Sequence, residues 1–195
     1  GWTSLTRWGE LTHGRLADSG ELTQLAAAEQ TAAQGGIVLR RAGTGEANKQ
    51  SSGATAAWLL TARDPLGKQG DNQAEAPLVA NPRPAAAYTY GYNAPPLIRR
   101  LGVVLEAIDQ VASTGEQPLE LVVDDEQIVL AAAAALQRPA AVASIRWVTA
   151  KDASYDPFTA IESIRDPQFL PNGLRYQGLP GLLSLLGDRV VRADK

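Results

Sequence analysis

From Pro95 onward the apolar residues Leu97, Ile98, Leu101, Val104, Leu105, Ile108 and Val111 recur at intervals of three and four. That spacing places one apolar stripe along a helix, and Pro96 suits its first turn, where a missing N–H costs nothing. The next stretch, PLELVVDDEQIVLAAAAAL, changes period within a few residues. Leu119, Leu121, Val122 and Val123 read as a strand, and the alanine-rich run that follows reads as a helix closing near Arg138-Pro139. Asp124-Asp125-Glu126 forms the tight turn between them.

The same reading extends to both sides. Residues 21–34, ELTQLAAAEQTAAQ, are rich in helix formers and end at Gly35-Gly36, which predicts a helix. IVLRRAGTGE then reads as a buried strand ending in a glycine turn. Residues 43–55 and 64–87 are dense in Gly, Pro, Asn, Ser and Gln and read as loops, with the apolar ATAAWLLTA between them open to either helix or strand. Further on, AVASIRWVTA is a strand, DPFTAIESI a short helix with Asp156-Pro157 as N-cap and first turn, GLPGLLSLL a helix, and DRVVRAD a last strand. Alternating helices and apolar strands predict an α/β fold: a three-layer sandwich, with a mostly parallel sheet covered by helices on both faces.

Composition narrows the partners. At 195 residues the chain suits a single domain spanning 1–195. Its 18 basic residues occur in pairs at most, against 21 acidic ones, without the basic-aromatic surface that nucleic acid demands. No apolar run reaches the roughly 18 residues of a membrane span, and no leader pattern opens the chain. Nucleic-acid and membrane partners are therefore not expected. The absence of cysteine removes disulfides, thiolate metal sites and a cysteine nucleophile, and a single histidine removes a multi-histidine metal cluster. No cofactor or metal is expected. A chain without methionine that opens on Gly1-Trp2 reads as a processed or excised part of a larger protein.

In parallel sheets ligands sit beyond the carboxyl ends of the strands, so the turns after Arg41, Val123 and Thr149 are the places to look. The sharpest is Val123-Asp124-Asp125-Glu126-Gln127. A nucleophile elbow bends through a strand-to-helix turn of this kind, but both of its glycines are missing here and Asp125 stands at the centre. An aspartate can attack as a covalent nucleophile only if a base then activates water. The plainer reading is that the three carboxylates cap the following helix and complement its dipole. His13, the one histidine, comes long before Asp125 and reads more simply as a loop residue, although it could line a pocket. Tyr88, Tyr90 and Tyr92 alternate ahead of the long helix and suit either a pocket wall or packing. RRAGTGE lacks the lysine and spacing of a phosphate loop and reads as a glycine turn.

Several segments together resemble a family. VANPRPAAAYTYGYNAPPLIRRLGVVLEAIDQV, LTHGRLADSGELTQLAAAEQTAAQGGIVLRRAGTGE and DPQFLPNGLRYQGLPGLLSLLGDRVV are similar to segments of acetyl-xylan-esterase-like, dienelactone-hydrolase-like α/β-hydrolases of bacteria such as planctomycetes. The resemblance covers most of the chain and implies an α/β-hydrolase-like core. It places Asp125 where that family's nucleophile stands and has the chain stop before the strand that precedes the family's catalytic acid and histidine, so the implied core is incomplete. It further implies export to the periplasm or exterior and an acetylated carbohydrate or small ester as ligand.

These readings converge on a non-catalytic α/β-hydrolase-like domain with a structural, association or ligand-binding role. Its partner would be the remainder of a larger polypeptide or a second copy. The candidate residues are Asp125 for catalysis and His13, Tyr90, Tyr92, Asp124 and Glu126 for binding. The alternative is an active carboxylic-ester hydrolase that uses Asp125.

Overall fold

The computed structural model describes residues 20–25, 35–42, 56–62, 94–170 and 172–194. Among them six strands form one sheet: β1 Gly20–Leu25, β2 Ile37–Arg41, β3 Ala57–Ala62, β4 Leu119–Val123, β5 Val142–Thr149 and β6 Val190–Asp194, in the order β1-β3-β2-β4-β5-β6. The α-helices are α1 Pro96–Ala112, α2 Ile128–Gln137 and α3 Gly178–Ser184.

The sheet is mixed, which corrects the expectation of a mostly parallel one. β1/β3, β3/β2 and β2/β4 pair antiparallel, and only β4/β5 and β5/β6 are parallel. A parallel neighbour needs a crossover between the strands, and α2 and α3 supply one on each side of β5. β2 and β3, neighbours in both sequence and sheet, run antiparallel.

Three crossovers, β3-α1-β4, β4-α2-β5 and β5-α3-β6, step the same way across the sheet. Right-handed connections then place their helices on one face. The packing agrees: Ile37, Leu39, Leu60, Leu121, Val123, Ile145 and Trp147 share one core with residues of α1, α2 and α3. On the opposite face Val38, Ala57 and Val122 form a second buried group with Leu25, Leu59 and Val148, and no described helix contributes to it. β4 is apolar almost throughout because it is buried on both faces: Leu121, Val122 and Val123 are each 0% exposed.

The apolar stripe of α1 faces this core as its spacing predicts, with Pro96 in the first turn and Leu101, Val104 and Ile108 buried. α2 meets α1 through alanines, whose small side chains let the two helix backbones approach. Two arginines close the assembly at its amino-terminal end. Arg138 holds Asp109 through Nε at 2.7 Å and Nη2 at 2.9 Å. Arg41 donates to the carbonyls of Val111 and Gln117, both at 2.6 Å, and so caps the carboxyl end of α1. On the second face Glu120 lies between Arg40 and Arg146 of the flanking strands and binds both.

Two further expectations change. Residues 21–25 of the expected helix are strand β1, with Leu22 opposite Leu60 and Leu25 opposite Ala57; residues 26–34 lie outside the described residues. Helix propensity over so few residues is worth only tenths of a kcal/mol each, which sheet pairing and the packing of Leu22 outweigh. DPFTAIESI yields a single 3-10 turn, Pro157–Ala160, and Ile161 is already extended. β-branched Thr159 and Ile161 disfavour helix here, and Asp156 caps the one turn that forms. The segment open to either assignment, ATAAWLLTA, holds β3.

Leu121→Ala tests the core. It removes a side chain packed against all the layers described, and a loss of about 2–5 kcal/mol in denaturant unfolding is expected.

Candidate functional site

The chain leaves β4 through Asp124, Asp125 and Glu126 and enters α2 at Gln127. The roles within this turn differ from a simple triple cap. Asp124 Oδ1 accepts from the Glu126 N–H at 3.1 Å and so stabilises the turn ahead of the helix. Gln127 is the N-cap residue, yet its side chain caps nothing and instead accepts from buried Arg100 at 3.1 Å. None of the three carboxylates accepts from the helix itself, because the turn has used a full residue more than a direct strand-to-helix elbow would.

Asp125 turns toward β5. Its Oδ1 accepts from the indole N–H of Trp147 at 2.9 Å, and its carbonyl accepts from the Tyr155 hydroxyl at 3.4 Å. Trp147 is 2% exposed, so its N–H has no water to turn to and needs this acceptor. Among the described residues the Asp125 carboxylate has no other hydrogen-bonding partner, and none of them is a base positioned to activate water. The only histidine, His13, lies outside the described residues, as do Tyr88, Tyr90 and Tyr92.

Beside this turn, beyond the carboxyl ends of β4 and β5, a cleft of about 500 Å³ opens along the segment after Thr149. Its walls come from Lys151, Asp152, Tyr155, Ile161, Asp166 and Gln168, among others. Several contacts fix these walls. Arg192 of β6 donates to the carbonyls of Lys151 and Asp152 while its guanidinium lies 4.7 Å from the centroid of the Trp147 ring. Gln168 donates to the Glu126 carbonyl at 3.3 Å. Asp156 Oδ1 accepts from Phe158 N at 3.1 Å and Leu179 N at 3.2 Å, which joins the loop to α3. Gly178 permits that junction: its φ is +57°, and a Cβ there would lie 1.8 Å from the Asp156 carboxylate.

The field over the cleft is negative. Burial first, then the charges of Asp125, Glu126, Asp124 and Asp156, hold the Tyr155 phenol above its ordinary value of 10.0. Asp152 is held below its ordinary 3.8 by the Ser154 hydroxyl and backbone N–H, with the Arg192 charge acting in the same direction. Among the described residues no group of three or more carboxylate or histidine side chains is arranged to hold a metal ion, and no helix is long and apolar enough to cross a membrane.

Sequence reasoning marked the turns after Val123 and Thr149, and the cleft lies at those two. It missed Lys151, Asp152, Tyr155, Asp166 and Gln168. The available signal was the run of polar and turn-forming residues directly after the strand ending at Thr149.

Two measurements probe this geometry. Asp125→Asn keeps an acceptor for the Trp147 indole, whereas Asp125→Ala strands it; the alanine variant is expected to unfold about 1–3 kcal/mol more easily, with the asparagine variant closer to wild type. Tyr155 has a raised folded-state pKa, so its contribution to stability is complete below pH 10.0 and lost as pH rises through the folded value. Wild type should therefore lose stability above that pH more steeply than Tyr155→Phe, and parallel curves would show that the phenol does not titrate as described. Set against known protein families, curated proteins and solved structures, the chain matches no family model, no curated protein and no solved structure.

Proposed function

We propose that this chain is a non-catalytic α/β domain whose role is ligand binding and association. The observation that carries the reading is the hydrogen bond from Trp147 to Asp125, which engages the one residue standing at an elbow-like position in a structural contact. A nucleophile needs a free lone pair and an oriented base, and the described surroundings of Asp125 provide neither. The cleft beside it, with fixed walls and an open mouth, supports the ligand-binding part.

The resemblance to acetyl-xylan-esterase-like α/β-hydrolases belongs to this proposal, and with it a three-layer, incomplete hydrolase-like core in a single domain of a larger protein. Complete burial of Val38 and Val122, on the face opposite the three described helices, supports cover on both faces of the sheet. Association with a second copy or with the rest of a longer polypeptide is supported by β6, the last strand among the described residues, where Val191 is exposed.

Hydrolysis of a generic acetyl ester by the purified chain is the test. No turnover above the Asp125→Ala variant is expected. Turnover abolished in that variant would replace this reading with the alternative, an ester hydrolase using Asp125.

A further inference from the structure

The hydrogen-bonding capacity of the cleft is lopsided. Its donors are largely engaged within the protein. Ser154 Oγ donates to Asp152 Oδ1 at 2.6 Å, Thr159 Oγ1 to the Asp156 carbonyl at 2.7 Å, and the Tyr155 hydroxyl to the Asp125 carbonyl at 3.4 Å. The Gln168 amide gives one hydrogen to the Glu126 carbonyl, so the ammonium of Lys151 is the principal donor left.

Acceptors, by contrast, remain open. Asp152 and Asp166 each use Oδ1 for a neighbouring backbone N–H, at 2.9 Å and 2.7 Å, while the Oδ2 of each accepts nothing from the described residues. The carbonyl oxygen of Gln168 is buried without any partner, an independent sign of an acceptor awaiting a donor. The lining carries the carboxylates of Asp152, Asp156 and Asp166 against the single ammonium of Lys151. A cation already occupies the aromatic wall, since Lys151 Nζ lies 5.6 Å from the Tyr155 ring centroid, within cation–π range.

We propose that this cleft binds a small organic cation, a primary amine or guanidinium on a short aliphatic body, with the charged group between Asp152, Asp166 and the Tyr155 ring. The inference rests on the ligand-binding part of the function proposed above and gives that ligand its chemical class. A neutral polyol needs donors as well as acceptors from its site, and an anion would meet three carboxylates. The aliphatic part of an amine has Pro157, Ala160 and Ile161 to lie against, and about 500 Å³ accommodates it. The tethered Lys151 ammonium competes for the same ring face until the ligand displaces it.

Calorimetric titration of the chain at low ionic strength with putrescine tests this, with butanediol as the neutral counterpart and succinate as the anionic one. Saturable binding of putrescine alone is expected. Asp152→Asn and Asp166→Asn should each weaken it about two- to fivefold, the size of a partly exposed ion pair, and Lys151→Ala should tighten it. Asparagine keeps Oδ1 for the loop hydrogen bonds, so these variants remain folded. Glu116→Gln, an exposed carboxylate at the other end of the sheet, should leave binding unchanged. Equal binding of butanediol, no saturation by putrescine, or an equal loss in Glu116→Gln would each overturn the proposal. Acetyl-ester hydrolysis measured on the same samples separates the two readings: turnover without amine binding would remove both, whereas no turnover and no binding would remove only the ligand class.

Discussion

A buried indole N–H requires an acceptor, and the structure is arranged around the one that Trp147 finds. Stranding that N–H would cost about 1–3 kcal/mol, a large share of a small domain's net stability. The acceptor, Asp125, sits 22 residues away in sequence on the turn leaving β4, so the bond ties the carboxyl ends of two parallel strands together. It fixes the direction of the turn, and the turn then offers the carbonyls of Asp125 and Glu126 to Tyr155 and Gln168. The walls of the cleft are thus set by a contact that also removes the best candidate for a nucleophile. Structure formation and loss of reactivity have one cause here.

The legible part of the fold is the part with strong, sustained periodicity. α1 repeats its apolar residues over seventeen residues, and β4, α2, β5 and β6 follow with clear changes of period, so their types follow from side-chain patterning alone. β1 was hidden because Leu22 and Leu25 fit helical spacing as well as an edge strand, and only pairing with β3 separates the two. Strand direction was hidden for a related reason. An alternating or continuous apolar pattern states how many faces are buried, not whether the neighbouring strand runs the same way. The antiparallel half of the sheet depends on which strands become neighbours, which no local pattern records.

The site divides along the same line. Asp124, Asp125 and Glu126 stand out because they interrupt an apolar run at the end of a strand. Their roles do not, since each is assigned by a partner distant in sequence: Trp147, Tyr155 and Gln168. Gln127 shows the limit most clearly. It stands at the N-cap, where a polar side chain usually satisfies helix N–H groups, yet it is drawn away by the buried guanidinium of Arg100 on α1. A buried charge demands hydrogen bonds more strongly than an exposed helix end does, because water can serve the helix end.

Charge is handled differently on the two sides of the chemistry. On the second face of the sheet Glu120 is shared by Arg40 and Arg146, so the carboxylate is satisfied from both flanks by cross-strand neighbours that the register places opposite it. At the carboxyl ends of β4 and β5 the carboxylates find backbone N–H groups, which satisfy one oxygen each and leave the net charge in place. Backbone hydrogen bonds stabilise a carboxylate without neutralising it, whereas an arginine does both. The negative field therefore persists only where strands give way to turns. That is the end of a parallel sheet segment open to a ligand, and the ligand it favours is one that brings positive charge and donors of its own.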